Sequence, residues 1–231
     1  MKYKAIVFDW DGTLVDSASR IVESMQCAAQ DHDLPFRNEF EVKQIIGLGL
    51  PEAIATLWPE IDSERALIKS VAKQYGVHYM AEQRAEMVLF DYAHELFEVI
   101  RKSGLKLAVA TGKGREGLNR ALEEFQLGHI FDDTRCADET KSKPHPLMLH
   151  ELSKSLEVDV EHMLMVGDTQ FDLDMAHNAG MDSVAITHGA HAVDKLKLSQ
   201  PLHMVNSLQE LANWLENQKQ SSNTVLNIEV N

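Results

Sequence analysis

Two carboxylates, Asp9 and Asp11, are the first residues of this chain whose types and spacing could do chemistry. They follow a short apolar stretch, residues 6–8, which is typical of a buried strand. Open α/β sheets bind ligands at the carboxyl ends of their strands. Carboxylates this close repel each other unless a cation lies between them, and Mg²⁺ prefers oxygen ligands. An acidic surface turn would have the same composition, so this stretch alone leaves both interpretations open.

Two later loops could supply groups that hold a phosphate. Thr111 and Gly112 follow the apolar stretch 105–110. A hydroxyl and a glycine N–H at the end of a strand can together hold phosphate oxygens. Lys143 precedes Pro144, which disfavours helix and holds the lysine in an extended segment. Taken singly, each of these segments is also ordinary loop chemistry.

Asp168 and Asp172 form a second acidic group, after the apolar stretch 163–166. Their four-residue spacing at the predicted start of a helix lets both side chains face one point. The segment therefore repeats the pattern at Asp9 and Asp11, an apolar strand followed by carboxylates around a glycine.

The elements that must position these residues alternate between strands and helices from residue 90 onward. With a first strand at 4–8, this alternation predicts an α/β fold with a doubly wound, mostly parallel sheet covered on both faces. Hydrophobic periodicity predicts the later strands at 105–110, 133–136, 163–166, 184–187 and 202–205, and the helices at 92–103, within 112–127, and at 146–156, 170–179 and 207–218.

The stretch 17–86 has helical spacing without a strand pattern and predicts an inserted all-helical block. The helices are expected at 17–32, 39–46, 51–57 and 63–83, with Gly76 as a candidate break in the last. We therefore predict an α/β core domain of residues 1–15 and 90–218, a helical cap domain of residues 16–89, and a flexible tail of residues 219–231. Asp16 lies where the chain leaves the core, and we interpret it as a structural hinge residue.

Charge and composition narrow the classes of partner. The chain has 22 Lys and Arg against 36 Asp and Glu, a formal net charge of −14, which argues against nucleic acid and anionic membranes. A phosphorylated substrate would need a local cation and a well-placed lysine. No apolar run approaches the ~18 residues of a membrane span, and the first residues lack an apolar signal region, so a cytoplasmic location is expected. Cys27 and Cys136 lie far apart and indicate neither a disulfide nor a zinc site.

Taken in order, these segments resemble the motifs of the haloacid dehalogenase-like hydrolase superfamily. The resemblance covers essentially the whole folded chain, including the helical cap inserted after the first motif, and is greatest to the phosphoglycolate phosphatase-like branch. The four motifs read Asp9-x-Asp11-Gly12-Thr13-Leu14-x-Asp16, Thr111-Gly112, Lys143-Pro144 and Gly167-Asp168-Thr169-x-x-Asp172.

The resemblance implies a role for each matched residue in phosphoryl transfer. Asp9 would be the nucleophile that forms an aspartyl-phosphate. Asp11 would protonate the leaving alkoxide and then activate the water that hydrolyses the intermediate. Thr111 and the N–H of Gly112 would hold the transferring phosphoryl group. Lys143 would offset the charge of the phosphate and the nucleophile.

The resemblance also implies a Mg²⁺ cofactor. Asp9, the backbone carbonyl of Asp11 and Asp168 would hold the ion, and Asp172 would support either the metal or Lys143. The implied activity is hydrolysis of a small phosphorylated metabolite, with phosphoglycolate as the leading substrate, by a monomer or weak homodimer. A β-phosphoglucomutase-like phosphotransferase and a broad-specificity sugar phosphatase are the alternatives within this resemblance.

Residues outside the four motifs have two readings each. The cap segment 45–51 contains Gly47 and Gly49, which permit close approach of the backbone to a ligand, although a plain turn between helices explains them equally. The histidines, including His188 and His191, are expected to be structural or surface residues.

Two more distant readings are non-enzymatic. Residues 112–117 match the GxGxxG pattern of dinucleotide-binding proteins and follow an apolar strand, but this pattern accounts for none of the carboxylate pairs. A phospho-signalling module would also gather acidic residues, a threonine and a lysine in a doubly wound fold. Such modules lack a helical insertion after the first strand, and their phosphoacceptor is not on that strand.

Overall fold

The computed structural model describes residues 2–81, 83 and 85–228, with side chains through residue 218. A six-stranded sheet lies at its centre, and all of the strand pairs in that sheet are parallel. In chain order the strands are β1 (Ala5–Phe8), β2 (Val15–Asp16), β3 (Val88–Leu89), β4 (Lys106–Thr111), β5 (Asp133–Cys136), β6 (Met163–Gly167), β7 (Asp182–Ile186) and β8 (His203–Val205).

The helices occupy the crossovers between strands and the inserted block. In chain order they are α1 (Ala18–Gln30), α2 (Glu39–Lys43), α3 (Leu50–Leu57), α4 (Arg65–Tyr79), α5 (Ala93–Lys102), α6 (Arg115–Glu124), α7 (Leu147–Leu156), α8 (Gln170–Ala179), α9 (Val193–Leu198) and α10 (Leu208–Ile228). No helix among the described residues is long and apolar enough to cross a membrane.

The sheet order is β5-β4-β1-β6-β7-β8, so β1 lies near the middle with β4 on one side and β6 on the other. The chain moves from β1 outward in both directions, which makes the carboxyl end of β1 the topological switch point of the sheet. Ligand sites of open α/β sheets form in the crevice at this point. The predicted doubly wound α/β fold is confirmed.

Alternation along β1 connects the sheet to its two helical layers. Ile6 and Phe8 face one hydrophobic cluster, which includes residues of α5, α6 and α10. Ala5 and Val7 face the other cluster, which includes residues of α7 and α8. Because both faces are covered, every residue of this strand is apolar and buried.

The helical insertion has a hydrophobic cluster of its own. It is formed by α1, α2, α3 and α4, with Met25, Ile54 and Trp58 among its most buried side chains. The indole N–H of Trp58 donates to the carbonyl of Pro35 at 2.9 Å, which satisfies the buried polar group of that ring.

The chain enters and leaves the insertion through a two-stranded antiparallel ribbon. β2 pairs with β3, with Val15 opposite Leu89 and Asp16 opposite Val88. Asp16 is exposed there. The ribbon lies where sequence analysis placed the two crossings between core and cap, and the assignment of Asp16 as a hinge residue stays a prediction.

Several element boundaries differ from the sequence predictions. α4 runs through Gly76 without a break, because a single glycine weakens a helix without removing a hydrogen bond. β2, β3 and α9 are too short to show a hydrophobic period and were not predicted. α10 continues to Ile228 instead of ending at 218, since residues 219–228 contain neither proline nor glycine. The predicted flexible tail falls partly on residues 229–231, which lie outside the described residues.

Candidate active site

The carboxyl ends of the central strands bring the predicted site residues to one place. Asp9 follows β1, Thr111 ends β4, and Asp168 follows β6. Lys143 reaches the same place from the loop after β5. Each of these four side chains is buried. The separate segments of the sequence therefore converge on the switch point of the sheet.

Lys143 lies between two carboxylates. Its Nζ is 2.6 Å from Oδ1 of Asp9 and 2.6 Å from Oδ1 of Asp172. Burial lowers the pKa of Lys143, but the charges of Asp172 and Asp9 outweigh it and the net shift is upward. The ammonium group is therefore held protonated at the centre of the site.

Asp172 is held from its other side by the start of α8. Its Oδ2 accepts hydrogen bonds from the backbone N–H of Thr169 at 3.0 Å and from Oγ1 of Thr169 at 2.6 Å. Thr169 and Asp172 form a capping box, which explains why the two residues are three apart. A Cβ on Gly167 would lie 2.3 Å from Cβ of Asp172, so glycine is required there. Both oxygens of Asp172 are engaged, which favours its role in orienting Lys143.

Asp168 is anchored by two donors from different parts of the chain. Oγ1 of Thr13 donates to Oδ1 at 2.7 Å, and the N–H of Ala190 donates to Oδ2 at 2.7 Å. Burial, together with the charge of Asp172, raises the pKa of Asp168 to about 7. A Cβ on Gly12 would lie 2.3 Å from this carboxylate, and one on Gly189 would lie 2.1 Å from it. Both glycines are needed for the chain to pass so close.

Asp9, Asp168 and Asp172 form a buried acidic group that could hold a metal ion, with one carboxylate oxygen from each within 4.8 Å of the others. Oδ2 of Asp9 is buried and has no hydrogen-bond partner among the described residues. Burial and the neighbouring Asp172 raise the pKa of Asp9 well above its usual range. A hard divalent cation fits this donor set, because it takes carboxylate oxygens and would relieve the repulsion.

Asp11 lies beside this acidic group but its side chain has different partners. Oγ of Ser17 donates to its Oδ1 at 2.6 Å, and Nζ of Lys113 is 3.0 Å from the same oxygen. Its side chain is not one of the three that could hold the ion. The predicted contribution of the Asp11 backbone carbonyl stays a prediction.

Lys113 and Ser17 were not assigned a role from the sequence. Lys113 immediately follows Thr111 and Gly112, and this adjacency was the signal that could have identified it. Its Nζ also donates to the hydroxyl of Tyr79 at 2.8 Å. Burial lowers the pKa of Lys113, but Asp11 together with the neighbouring Tyr79 and Tyr75 outweighs it and the net shift is upward. A protonated lysine thus links Asp11 to the cap.

The cap backbone lies directly on Gly112. A Cβ on Gly112 would be 2.4 Å from the carbonyl oxygen of Leu48 and 2.5 Å from that of Gly47. The N–H of Gly49 donates to Oγ of Ser142 at 2.8 Å. The segment 45–51 is thus the turn between α2 and α3 and also a direct contact with the core, and the approach of its glycines to a ligand stays a prediction.

We expect Gly112→Ala to hold the cap away from the core. The added methyl group would overlap the carbonyls of Gly47 and Leu48, which belong to the backbone and cannot rotate away. A displacement of about 1 Å at a reacting group can reduce the rate about 100-fold, and we expect a loss of this order in kcat/KM for a phosphate monoester.

Gly128→Ala is the matched control, because a Cβ at Gly128 meets nothing within 4 Å. Wild-type kcat/KM in Gly112→Ala would contradict a closed cap in the active form of the enzyme.

A second cap contact involves His191, which is buried. The N–H of Gln170 donates to Nδ1 of His191 at 3.0 Å, so Nε2 carries the proton and lies 3.2 Å from the carbonyl of Gln44 in the cap. Nζ of Lys195 also donates to Oε1 of Gln44 at 3.1 Å. Burial and the charge of Lys195 lower the pKa of His191, which keeps the ring neutral. His188, the other histidine singled out from the sequence, contacts the carbonyl of Thr13 at 3.1 Å.

A cavity of about 610 Å³ lies between the cap and the core and reaches Asp9 and Asp11. Lys113 and Gly112 form part of its core wall, and cap side chains such as Tyr79 form the opposite wall. A ligand in this cavity would therefore have access to Asp9 and Asp11.

The GxGxxG pattern at 112–117 has a different structural context from a dinucleotide site. It follows β4, which is not the first strand of the sheet, and the turn at Gly112 is covered by the cap. The carbonyls of Gly47 and Leu48 cover the Cα side of Gly112 and leave no room there for a pyrophosphate.

Known proteins are similar to this chain over nearly its whole length. The model of the family described as haloacid dehalogenase-like hydrolase matches residues 6–186. Probable phosphatase IndB of Dickeya dadantii is 33% identical over 210 residues, 89% of this chain and 90% of that protein. Phosphoglycolate phosphatase of Pasteurella multocida is 28% identical over 222 residues, 93% of this chain and 99% of that protein.

A solved structure agrees with these relatives. The crystal structure of a predicted phosphoglycolate phosphatase from Haemophilus somnus superposes with a TM-score of 0.82 at 26% identity, covering 94% of this chain and 99% of that one. A doubly wound core with a helical insertion and a buried acidic group at the switch point defines a class of capped α/β proteins with an acidic site at the carboxyl edge of the sheet. This chain belongs to the haloacid dehalogenase-like hydrolase family. The family resemblance inferred from the four motifs is confirmed, and so is the general class of enzyme that it implies, a phosphatase.

Proposed function

We propose that the protein is a Mg²⁺-dependent phosphatase that hydrolyses a phosphate monoester through an aspartyl-phosphate on Asp9. The observation that carries this proposal is the state of Asp9. One oxygen is bound by Lys143 at 2.6 Å, and the other is buried without a partner among the described residues. A buried carboxylate that reaches a cavity with one unengaged oxygen is suited to nucleophilic attack.

Each further residue has a role in the proposed mechanism. Ser17 and Lys113 hold Oδ1 of Asp11, and Oδ2 carries the proton that Asp11 donates to the leaving alkoxide; the same oxygen, then deprotonated, takes a proton from the attacking water. Lys143 stays protonated and offsets the charge that accumulates on the phosphoryl oxygens. Thr111 and the N–H of Gly112 bind those oxygens at the end of β4.

Asp9 and Asp168 would hold the Mg²⁺ ion, with Asp172 either beside them or committed to Lys143. When bound, the ion supplies Lewis-acid stabilisation of the negative charge on the transferring phosphoryl group. Repulsion among three buried carboxylates and the strongly negative net charge of the chain both require a local positive group for an anionic substrate to bind.

Phosphoglycolate is the substrate that the names of the relatives support, within a wider class of small phosphorylated metabolites. Release of inorganic phosphate from a panel of phosphorylated metabolites, with Mg²⁺ and with a chelator, tests the activity. Multiple turnovers that require Mg²⁺ are expected. A single turnover that leaves a long-lived phosphoprotein would contradict hydrolysis, and transfer between two positions of a sugar without phosphate release would indicate a mutase. A cytoplasmic location and a monomer or weak homodimer remain predictions.

Metal binding should change stability in a pH-dependent way. The pKa of Asp168 is raised from 3.8 to about 7 in the folded chain. At pH values between these two, the folded chain therefore holds the Asp168 proton more tightly than the unfolded chain does. The metal-free protein should therefore be more stable at pH 5 than at pH 8, because this contribution to the free energy of unfolding is lost as the pH rises through 7. Mg²⁺ binds the deprotonated carboxylates, so it should raise Tm by about 5 °C or more at pH 8 and by much less at pH 5.

Thermal denaturation with and without Mg²⁺ at the two pH values measures this effect. Asp168→Asn should abolish the shift at pH 8, and Asp16→Asn, at an exposed site outside the acidic group, should retain it. An equal shift in wild type and Asp168→Asn would place the ion elsewhere.

A further inference from the structure

The cavity over Asp9 is large for a two-carbon substrate. Its volume of about 610 Å³ falls within the range of about 300–1,000 Å³ that is typical of sites for drug-sized ligands. A phosphoryl group bound for attack by Asp9 would take up only the end beside Asp9 and Asp11, and the rest of the cavity extends under the cap. The volume points to a larger organic group on the leaving oxygen.

The described walls of the cavity favour an apolar group over a second anion. Ile21, Met25 and Ala72 line the cap side. The positively charged lining residues already have partners or are exposed. Nζ of Lys113 contacts Asp11 and Tyr79, Arg120 forms an ion pair with Glu116, and Lys73 is exposed. A carboxylate such as that of phosphoglycolate would meet no buried, unengaged cation among these described lining residues.

Two aromatic side chains shape the cap wall. Tyr75 and Tyr79 lie one turn apart on α4, and their ring centroids are 5.6 Å apart at an interplanar angle of 33°. Both rings line the cavity and are half-buried. Tyr79 is fixed because its hydroxyl accepts from Lys113 at 2.8 Å and donates to Sδ of Met87 at 2.9 Å. Nζ of Lys113 also lies over the Tyr79 ring, 4.6 Å from its centroid, so a flat ligand ring would stack mainly on Tyr75, with Tyr79 beside it.

The core side of the same cavity is lined by glycines at the start of α6. Gly114 and Gly117 both line it, and a Cβ at Gly117 would meet nothing within 4 Å. A glycine inside a helix lowers the stability of that helix relative to alanine. The absence of a side chain at Gly117 leaves room for a ligand opposite the tyrosines.

We propose that the substrate is a phosphate monoester whose alcohol carries a flat aromatic or heteroaromatic ring, and that this ring packs against Tyr75 and Tyr79. The inference rests on the proposed phosphatase function, because the phosphoryl group must reach Asp9 while the ring lies under the cap. Attack by Asp9 breaks the bond between phosphorus and the ester oxygen, Asp11 protonates that oxygen, and the ring-bearing alcohol leaves.

The test compares kcat/KM for five phosphate monoesters in the presence of Mg²⁺. Three carry a flat ring from different sources: a nucleoside 5′-monophosphate, pyridoxal 5′-phosphate and phenyl phosphate. Phosphoglycolate and glucose 6-phosphate lack one. We expect at least one ring-bearing ester to exceed both of the others by about tenfold or more, and the ranking among the three identifies the kind of ring.

Tyr75→Leu should lower kcat/KM for the preferred ring-bearing ester about tenfold. Tyr75→Phe should keep the wild-type kcat/KM, because stacking needs the ring and not the hydroxyl. Phe40→Leu is the matched control, since Phe40 is an exposed cap aromatic outside the cavity lining. Gly117→Leu, which fills the space opposite the tyrosines, should also reduce turnover of the ring-bearing ester about tenfold, and Gly117→Ala much less.

The outcomes separate this inference from the proposed function. Preference for phosphoglycolate or glucose 6-phosphate would overturn the inference and leave the phosphatase function standing. An equal loss on all five esters in folded Tyr75→Leu would also overturn it. If no ester releases phosphate with Mg²⁺, the proposed function fails and the inference fails with it.

Discussion

Asp9→Asn is expected to reduce phosphate release at least about 10⁴-fold, because the proposed covalent intermediate forms on this carboxylate. An amide is a poor nucleophile, and the substitution also removes one of the three carboxylates that could hold the ion. The variant should remain folded. Asp9 is buried beside Asp172 and Asp168, so loss of its charge relieves repulsion, and Lys143 retains Asp172 as a partner. Steady-state phosphate release under saturating substrate and Mg²⁺ measures the effect.

Asp16→Asn provides a matched control within the same motif. Asp16 is exposed in the ribbon formed by β2 and β3, away from the buried acidic group, so its variant should retain nearly full activity. Asp9→Asn that keeps even a tenth of wild-type turnover would refute Asp9 as the nucleophile. Circular dichroism and thermal denaturation of both variants distinguish loss of chemistry from loss of fold.

Lys143→Met is expected to reduce kcat/KM about 10³-fold and to destabilise the metal-free protein by about 3–5 kcal/mol. Methionine has a similar length and apolar stem but no charge. Its substitution leaves Asp9 and Asp172 buried within a site that then has no cation among the described side chains that contact them. Both effects have one cause, which is the loss of a fixed positive charge that contacts two carboxylates at 2.6 Å.

Urea denaturation without metal measures the stability change, and phosphate release with Mg²⁺ measures the catalytic change. Lys141→Met is the matched control, because Lys141 is an exposed lysine two residues away on the same loop. A Lys143→Met variant with wild-type activity would show that the ammonium group does not stabilise the transition state, whatever its effect on folding.

Much of this organisation is readable from local sequence. Apolar stretches ending in polar residues predicted the strands, because a parallel sheet covered on both faces requires continuous apolar strands. The sheet direction then placed Asp9, Thr111 and Asp168 at the same edge, since the carboxyl ends of parallel strands coincide. The spacing of Thr169 and Asp172 also follows from local structure, because the members of a capping box are three positions apart.

The tertiary structure alone decided which side chains contact one another. Lys143 lies 134 and 29 positions from its two carboxylate partners, so only the folded sheet shows that it bridges Asp9 and Asp172. Likewise, Lys113 joins Asp11 to Tyr79 across the boundary between core and cap. Contacts of this kind depend on how elements pack, and periodicity within one element carries no information about its distant neighbours.

The same distinction holds for the two ends of the site. The sequence by itself predicted the chemical end, because a carboxylate pair, a threonine and a second acidic pair each stand at or just after the end of a strand that aims them at the switch point. Only the tertiary structure decided the substrate end. The cavity is lined both by Tyr75 and Tyr79 of α4 and by Gly117 of the core, and a space between two packed units is a property of their docking and not of either segment.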